Sequence, residues 1–467
     1  MVAARSASLA FLVLLFAPSK AWLSDFFLGA GEPSEPQTVS VPLKKQYVPV
    51  KRNGTVVAYK TAYFGDLRVG TPPRNFTAVF DTGSGHLILP SARCQAEGCT
   101  RHTTYNHSLS STAVELEHDG RLILPETKKR DQVSITFGTG KVVGEFAQDE
   151  VCVGSDSENC FKLRIVVANS MTSDPFALFD FDGVLGLGLS ALSLNPYFSF
   201  FGQMALQHPN MQPIFSCFLA RTETDGTSKI TFGGYERRHM DSELLWAPVN
   251  NPELGYWQVK IRRVRIGSTV LQECEGGECV AVLDTGTSLL GVPRLAVAEM
   301  HKLLARSVPE DLASQGDIDC RTVPGELLHF DLGEGASEFS VALTVEDHSR
   351  PAPVDMRQFA APAANANASS AGNASNATEP SNASQRPDLM CRSLLLPVDM
   401  KGPLGPRMFI WGEPVLRKYY TVYDWGLKRI GFAGAKRPEV VEAATSSIGA
   451  PSSESLVIGA PLAAKAA

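Results

Sequence analysis

Short apolar runs alternate with polar turns along most of this chain. The runs are rich in Val, Ile, Phe and Thr, and Gly, Asp and Asn separate them, which is typical of β-strands. The clearest predicted strands are Phe76–Phe80, Val133–Phe137, Lys162–Val167, Ile214–Leu219, Lys229–Phe232 and Trp257–Ile266. Helical periodicity is clear only at Phe198–Gln207 and Leu295–Ala305. The pattern predicts a mostly β protein with a few short helices.

Length and composition narrow the class of protein. A chain of 467 residues is too long for one core and suggests two packed lobes. Its 44% hydrophobic and 20% charged residues are ordinary for a globular protein. The net charge is −6, and no Lys/Arg block is long enough to mark a nucleic-acid groove. We therefore expect no nucleic-acid partner.

The N-terminus carries the pattern of a secretory signal. Arg5 precedes an apolar run from Leu9 to Phe16, and Ser19-Lys20-Ala21 resembles a signal-peptidase site. The run is too short to span a bilayer, and no later stretch is long and apolar enough to do so. An uncleaved hydrophobic anchor is the alternative. We expect a protein of the secretory pathway, without a membrane anchor.

Cysteine spacing agrees with an oxidising compartment. The nine cysteines include three close pairs and one distant pair, so we expect disulfides between Cys94 and Cys99, Cys152 and Cys160, Cys274 and Cys279, and Cys320 and Cys391. Cys217 is left over in an apolar strand and is expected to be a free core thiol. A zinc site is the rival interpretation, but the chain has no C-x-x-C pair followed by His at finger spacing.

Glycosylation sequons also fit secretion. They begin at Asn53, Asn75, Asn106, Asn367, Asn373, Asn376 and Asn382. The last of these crowd into a segment of Ala, Asn, Ser and Pro that has almost no large apolar side chain and cannot form a core. We expect a disordered surface insertion there, with or without glycans.

One motif occurs twice. Ala78–Pro90 and Ala281–Pro293 each contain an apolar run, Asp-Thr-Gly, Ser or Thr, further apolar residues and Pro. Each is followed by two apolar residues and a glycine, at Gly186 and Gly412. The repeat predicts two lobes of like architecture, each offering one carboxylate.

A carboxylate from each repeat suggests acid–base chemistry. An apolar strand would deliver Asp81 or Asp284 to a buried turn, in which Gly allows a tight backbone and Thr can bond the opposite lobe. Two carboxyl groups brought within a few ångströms cannot both ionise, so they share a proton. Such a pair can activate a water molecule for attack on a peptide carbonyl, with no metal or cofactor. A single Asp-Thr-Gly is weak evidence, but two in matching contexts are specific.

These motifs resemble the pepsin family of aspartic proteases over about residues 57–436. Further segments carry the resemblance: Tyr63–Pro73, Cys94–Cys99, Phe181–Gly188, Phe232–Gly234, Tyr256–Trp257, Tyr419–Asp424 and Ile430–Ala433. The family implies a bilobal β fold with two pseudo-symmetric lobes, a central cleft for an extended peptide, and a flap hairpin.

The resemblance also implies an organisation and a set of site residues. We expect a signal peptide at 1–21, a possible short propeptide at 22–56, an N-terminal catalytic lobe at 57–240, a C-terminal catalytic lobe at 241–436 with a disordered insertion at 353–390, and a flexible tail at 437–467. The catalytic pair would be Asp81 and Asp284, supported by Thr82, Gly83, Ser84, Thr285, Gly286 and Thr287. The neighbouring His86 is expected to be a surface or pocket-edge polar residue rather than an acid or base.

The flap departs from the family pattern. Ile135–Gly140 matches the flap tip, but Phe137 stands where most members have Tyr, and Ile88 stands where its Trp partner is usual. Both partners are apolar, so no buried polar group is orphaned. We expect a drier, more apolar substrate wall with catalysis retained, and substrate contacts at Phe137, Gly138, Thr139 and Ile88. A second departure, Trp411-Gly412-Glu413, is expected to alter packing only.

The segment before the first motif has two interpretations. Val41–Lys45 resembles the basic start of a pepsin-type prosegment, whose Lys could block the catalytic pair until acid weakens the contact. Alternatively, it is the first strand of a mature enzyme. The overall prediction is a monomeric, secreted or vacuolar aspartic endopeptidase acting on polypeptides at acidic pH. The rivals are a catalytically inactive pepsin-like peptide-binding or inhibitor protein and a carbohydrate-binding β protein.

Overall fold

A computed structural model describes residues 37–437, except for 53–54, 125, 128, 139, 155–158, 223–224, 314–317, 357–387 and 401. The predicted signal peptide lies outside the described residues, as do nearly all of the Asn/Ala/Ser insertion and of the tail. The same holds for the sequons Asn53, Asn367, Asn373, Asn376 and Asn382. No helix in the described part has the length and apolar character needed to cross a membrane.

Strands dominate both halves of the described chain. The first half contains β1 (Val39–Pro42), β2 (Lys44–Arg52), β3 (Thr55–Val69), β4 (Arg74–Asp81), β5 (Leu87–Pro90), β6 (Val114–Leu116), β7 (Val133–Phe137), β8 (Gly140–Val153), β9 (Cys160–Met171), β10 (Gly183–Gly186), β11 (Ile214–Phe218) and β12 (Lys229–Phe232). The second half contains β13 (Leu245–Pro248), β14 (Gln258–Ile261), β15 (Arg263–Ile266), β16 (Thr269–Val270), β17 (Cys279–Leu283), β18 (Leu290–Pro293), β19 (Arg306–Ser307), β20 (Leu328–Leu332), β21 (Phe339–Leu343), β22 (Val354–Asp355), β23 (Leu389–Cys391), β24 (Leu395–Val398), β25 (Met408–Trp411), β26 (Tyr419–Asp424) and β27 (Arg429–Gly434).

The helices of the described residues are short. The α-helices are α1 (Glu97–Thr100), α2 (Ser173–Phe176), α3 (Phe200–Gln207), α4 (Val297–Leu304), α5 (Glu310–Ala313), α6 (Val345–His348) and α7 (Glu413–Leu416). Single 3₁₀ turns occur at His107–Leu109, Ser190–Leu192, Pro196–Phe198, Arg237–His239, Pro252–Leu254, Gln272–Cys274 and Gly335–Ser337.

The two halves repeat one strand arrangement. In the first, β4 pairs in parallel with β10, β10 antiparallel with β5, and β5 in parallel with β9. In the second, β17, β25, β18 and β24 follow the same order with the same alternation of directions. Each Asp-Thr-Gly therefore follows the first strand of an equivalent set. This confirms the predicted mostly β fold with two pseudo-symmetric lobes.

A six-stranded sheet joins the two halves. Its order is β1-β12-β11-β26-β27-β13, so strands from early and late in the chain are hydrogen-bonded neighbours. Across the junction between β11 and β26, the rings of Phe215 and Tyr423 stack with centroids 4.6 Å apart. Trp257 packs edge-on against both rings and donates from Nε1 to the carbonyl of Leu187 at 2.8 Å. The largest apolar core therefore runs continuously between the lobes.

Most predicted elements occur, with one split strand. The strands predicted at Val133–Phe137 and Lys229–Phe232 have the same bounds in the structure. The prediction of one strand over Trp257–Ile266 is wrong, because the chain changes sheets at Arg262. Before Arg262, β14 pairs with β17, and after it, β15 pairs with β20. At the change of sheet, the Arg262 N–H donates to the carbonyl of Asp331 at 2.8 Å.

The predicted helices are both shorter than expected. A 3₁₀ turn ends at Phe198 and α3 begins only at Phe200. Ser199, between them, has an extended backbone with ψ of 107°. At the second site Ala296 precedes α4, and Leu295 is exposed.

The N-terminal segment is built into the sheets. β1 pairs with β12 in the joining sheet, and β2 forms a hairpin with β3. The Nζ of Lys45 lies 2.9 Å from Glu413, and that of Lys44 lies 4.0 Å from Asp66, so both have partners other than the aspartates of the repeats. Pairing into the sheets is compatible with either interpretation, a prosegment or the first strand of a mature enzyme. The propeptide boundary stays a prediction.

The cysteines form the four predicted pairs. Disulfides join Cys94 to Cys99, Cys152 to Cys160, Cys274 to Cys279 and Cys320 to Cys391. Cys217 is a free thiol that is 1% exposed within β11, as predicted. Of the two other described sequons, Asn75 is exposed, whereas the side chain of Asn106 accepts a hydrogen bond from the Ser108 N–H.

The disulfide pattern predicts a thiol count. Eight of the nine cysteines are paired and Cys217 is buried, so the native, unreduced protein should show no reactive thiol with a reagent such as Ellman's. The same protein unfolded in guanidinium without reductant should show one thiol per chain. The variant Cys217→Ala is the matched control and should show none. Three thiols in the unfolded wild type would contradict the pairing.

Candidate active site

Asp81 and Asp284 occupy equivalent turns. Asp81 ends β4, and its carbonyl accepts from the Leu187 N–H at 2.7 Å, just after Gly186. Asp284 follows β17, and its N–H donates to the carbonyl of Trp411 at 3.1 Å, just before Gly412. Each downstream element of the repeat thus supports the turn of its own lobe.

The downstream glycines are required by close backbone contact. A Cβ on Gly186 would lie 2.5 Å from the amide nitrogen of His86, and a Cβ on Gly412 would lie 2.2 Å from the carbonyl of Thr287. Neither distance is possible for a real side chain, so each strand can approach its Asp-Thr-Gly turn only with glycine at this position. The paired glycines noticed in the sequence therefore have the same packing role in both lobes.

The turn glycines bring the two carboxyl groups face to face. The Gly83 N–H donates to Asp81 Oδ1 at 2.9 Å, and the Gly286 N–H donates to Asp284 Oδ1 at 2.8 Å. A Cβ on Gly83 would lie 2.9 Å from Cγ of Asp284, and one on Gly286 would lie 2.7 Å from Oδ1 of Asp81. Each glycine thus binds its own aspartate and leaves room for the opposite one.

Two threonines clasp the turns across the lobes. The Thr82 N–H donates to Oγ1 of Thr285, and the Thr285 N–H donates to Oγ1 of Thr82, both at 3.0 Å. The hydroxyls in turn donate to main-chain carbonyls of the opposite strands, Leu283 at 2.8 Å and Phe80 at 2.5 Å. Both side chains are buried, so each hydroxyl and amide is satisfied only while the lobes are joined.

Burial and mutual repulsion shift the ionisation of the pair. Asp81 is 8% exposed, and desolvation followed by the nearby charge of Asp284 raises the pKa of Asp81 well above its usual value. Ser84 and the Gly83 N–H act in the opposite direction without cancelling the rise. Asp284 is half-buried, and Thr287 Oγ1 donates to its Oδ2 at 2.6 Å. The pair thus favours one protonated and one ionised member over a broad pH range.

The flap is the β7–β8 hairpin. Its side chains alternate, with Val133, Ile135 and Phe137 half-buried and the residues between them exposed. Phe137 pairs with Gly140 across the tip, and Gly138 has φ of +48°, which a two-residue hairpin turn requires. Thr139, the other tip residue, lies outside the described residues.

The underside of the flap is apolar. The rings of Phe137 and Phe176 meet edge-on with centroids 6.0 Å apart. Phe137 and Ile135 pack on a buried apolar cluster that includes Ile88, Val142 and Phe176. Ile88 is 1% exposed. The substitution pair noticed in the sequence therefore lies in one continuous apolar layer.

The expectation for His86 was wrong. His86 is buried, its ring lies edge-on to Phe198 at 5.6 Å, and Nε2 accepts from the Leu194 N–H at 3.0 Å. Burial lowers its pKa to about 4, so the ring is neutral at ordinary pH. The residue is a structural side chain under the turn and not a pocket-edge polar group.

The second departure also has a structural role. Trp411 is fully buried against Phe330 and Phe432. Glu413 accepts from the Tyr63 hydroxyl at 2.8 Å and pairs with Lys45 at 2.9 Å. These contacts tie α7 to the β2–β3 hairpin of the first half, in agreement with a packing role.

Two residues, Tyr256 and Ser288, were not assigned to the site by the sequence analysis. Tyr256 lies near enough to Asp284 and Asp81 for their charges to add to the effect of burial in raising its pKa. Ser288 Oγ accepts from the Thr61 N–H and donates to the Thr61 carbonyl, both at 2.8 Å. The position of Ser288 next to Thr287 is a sequence signal, but nothing local points to its distant partner.

The described residues offer little for a metal ion. One group, Glu150 with Cys152 and Cys160, brings ligand atoms together, but both sulfurs are joined in a disulfide. Thiolates rather than disulfide sulfurs bind metals.

Comparison with known proteins identifies the family. The model of the eukaryotic aspartyl protease family matches residues 62–350, and the chain belongs to that family. Cathepsin E of Rattus norvegicus is 30% identical over 375 residues, covering 80% of each chain. Cathepsin E of Mus musculus is 29% identical over 377 residues, also covering 80% of each. Gastricsin of Homo sapiens is 29% identical over 374 residues, covering 80% of this chain and 81% of the relative.

The raised pKa of Asp81 predicts a pH-dependent stability change. A carboxyl whose folded-state pKa exceeds its unfolded value stabilises fully in acid and loses this contribution as pH rises. The wild type should therefore lose stability from about pH 4 upward relative to Asp81→Asn, whose side chain stays neutral. At pH 7 the Tm of Asp81→Asn should be higher by at least about 2 °C.

The control for this experiment is Asp180→Asn, an exposed carboxylate. Its Tm difference from wild type should stay small and change little with pH. A Tm for Asp81→Asn below that of wild type at pH 7, or a difference that shrinks as pH rises, would contradict the assignment.

Proposed function

We propose that this protein is an aspartic endopeptidase that hydrolyses peptide bonds in extended polypeptides, with Asp81 and Asp284 as its catalytic pair. The observation that carries the proposal is the crossed arrangement of the two turns. Each glycine binds its own carboxylate and makes room for the other. Burial, and after it the nearby charge of Asp284, raises the pKa of Asp81.

The pair supports general acid–base hydrolysis. The ionised carboxyl group accepts a proton from a water molecule bound between the two, and this water attacks the peptide carbonyl. The protonated carboxyl group donates to the oxygen on which charge develops. The proton taken from the water is then passed to the leaving nitrogen. The pair, which held two protons after the attack, returns to one. The Gly83 and Gly286 amides hold each carboxyl group in place throughout.

The flap supports a role in covering the substrate. No atom lies within 4 Å of the place where a Cβ on Gly138 would stand, and Phe137 on the underside packs on the apolar layer that contains Ile88. A water-excluding cover strengthens the electrostatic effect of the pair on a bound peptide. An apolar cover also favours apolar side chains beside the scissile bond.

The intact turns favour an enzyme over an inactive peptide-binding protein. An inactive relative would have no need for two carboxyl groups that destabilise each other, nor for the glycines that permit their approach. A shared proton is suited to acidic pH, at which one member stays protonated. With the secretory pattern of the N-terminus, this supports an extracellular or acidic vacuolar site of action. One chain supplies both carboxyl groups, which is compatible with a monomeric enzyme.

The activity itself can be tested directly. The full chain, expressed in a secretory host, should cleave denatured haemoglobin or a peptide library within pH 3–7, and pepstatin should abolish cleavage. Asp81→Asn and Asp284→Asn should each lose at least about 10³-fold in kcat/KM, because neither can share a proton. Asp180→Asn is the control and should retain wild-type activity. Cleavage that survives either catalytic substitution, or no cleavage at any pH, would contradict the proposal.

The apolar flap predicts a small effect of restoring the family residue. Phe137→Tyr adds a hydroxyl beside the Phe176 ring, with an isoleucine at 88 in place of the usual partner. We expect kcat/KM to stay equal or to fall by up to about tenfold, since a buried hydroxyl without a partner is unfavourable. The double variant Phe137→Tyr, Ile88→Trp is the control for a restored pair. A strong rise in turnover from Phe137→Tyr alone would show that the apolar pair impairs catalysis.

A further inference from the structure

β3 is longer than the strands that pair with it. Its second part, Phe64–Val69, pairs with β4 on one side. Between Thr55 and Tyr63, β2 is the only one of the described strands that pairs with it. This part of β3 therefore has a second edge that no described strand occupies.

That edge begins at the active site. The Thr61 N–H and carbonyl both bond to Ser288 Oγ at 2.8 Å. Ser288 follows Thr287, whose hydroxyl holds Asp284. One serine side chain therefore takes the position that a residue of a neighbouring strand would take, next to the catalytic turn.

The next main-chain groups along this edge belong to Tyr59. In an antiparallel pair, alternate residues direct both N–H and C=O away from the partner strand. Since Thr61 does so, Tyr59 does so too. The register agrees, because Tyr59 faces Pro49 of β2, and a proline has no N–H to give to a ladder.

The two outer edges of the β2–β3 hairpin differ in their capacity to pair with a further strand. Pro49 removes a donor from the outer edge of β2, and the exposed Lys44 and Lys51 lie along the same strand. Prolines and lysines are common means of blocking strand addition. The edge of β3 at Tyr59 has no proline, and Tyr59 is 49% exposed. The edge that leads to the catalytic pair is thus the one left open.

The open edge is held firmly. The side chain of Lys60 pairs with Asp174 at 3.0 Å, in the helix whose Phe176 contacts the flap residue Phe137. The main chain of the next residue, Thr61, is bonded to Ser288. Tyr47 lies edge-on to Tyr59 with centroids 6.1 Å apart, which provides an aromatic surface beside the strand.

We propose that the substrate segment leaving the catalytic pair on the Ser288 side adds to β3 at Tyr59 as a further β-strand. The inference rests on the proposed function and extends it, because it names a main-chain binding surface for the substrate beyond the catalytic pair. Main-chain hydrogen bonds would supply affinity independent of sequence, and the tyrosine pair would favour an apolar or aromatic side chain. Binding energy gained far from the scissile bond is available to the reaction.

Peptide length is the first test. Peptides of one cleavage sequence, lengthened stepwise from about six to about twelve residues at either the N-terminal or the C-terminal end, are compared by kcat/KM. We expect lengthening at one end only to raise kcat/KM by about tenfold, the effect of two main-chain hydrogen bonds of ordinary net strength. N-methylation at alternate added residues should abolish the gain, and N-methylation at the residues between should not.

A variant of the edge is the second test. Tyr59→Pro removes an N–H that points away from β2 and should be tolerated as Pro49 is. In Tyr59→Pro the ratio of kcat/KM for long and short peptides should fall to below about twofold. The matched control Tyr59→Thr keeps the N–H and should retain most of the ratio. The ratio is measured within one variant, so a general loss of activity cancels.

The outcomes separate this inference from the proposed function. Cleavage of short peptides with no gain from either end, or a gain unaffected by N-methylation, would overturn the added strand and leave the protease assignment intact. An equal ratio in Tyr59→Pro and wild type would do the same. Absence of any cleavage by the wild type would overturn both. If Tyr59→Pro fails to fold, the N-methylated peptides on wild-type protein decide the question.

Discussion

The whole arrangement depends on holding two mutually repelling carboxyl groups in one small buried space. Asp81 and Asp284 come from different lobes, and their carboxyl groups repel each other whenever both are ionised. The attraction is supplied one residue along the chain, where Thr82 and Thr285 exchange hydrogen bonds and bind the carbonyls of Leu283 and Phe80. Separating the lobes would leave buried donors without partners, so the clasp opposes the repulsion directly.

The clasp can act only if the lobes are already aligned. The six-stranded sheet provides that alignment through the pairing of β11 with β26 and the stacked rings of Phe215 and Tyr423. A second connection lies at the other side, where Glu413 bonds Tyr63 and Lys45. Because these contacts join the two halves, they resist relative movements of the lobes that would alter the distance between the carboxyl groups.

The sequence predicted the parts of the structure that repeat or follow local patterns. The paired Asp-Thr-Gly motifs, the glycines at 186 and 412 and the close cysteine pairs could be recognised because each depends on neighbouring residues or on internal comparison. The contact of Ser288 with Thr61 joins positions far apart in the chain and could not be found this way. His86 was misjudged because its burial depends on Phe198, which no local pattern places beside it. The break at Arg262 likewise depends on Asp331 of a distant strand.

The apolar flap and the open edge of β3 bear on the same problem of selecting a substrate. A cover lined by Phe137 over Ile88 offers few polar partners, so it discriminates by shape and desolvation, which distinguish related side chains only weakly. Main-chain pairing at an edge distinguishes something else, namely whether a polypeptide can become extended over many residues. A folded protein rarely offers such a segment, whereas an unfolded one offers many. Together the two features would make conformation, more than sequence, the property that this active site recognises.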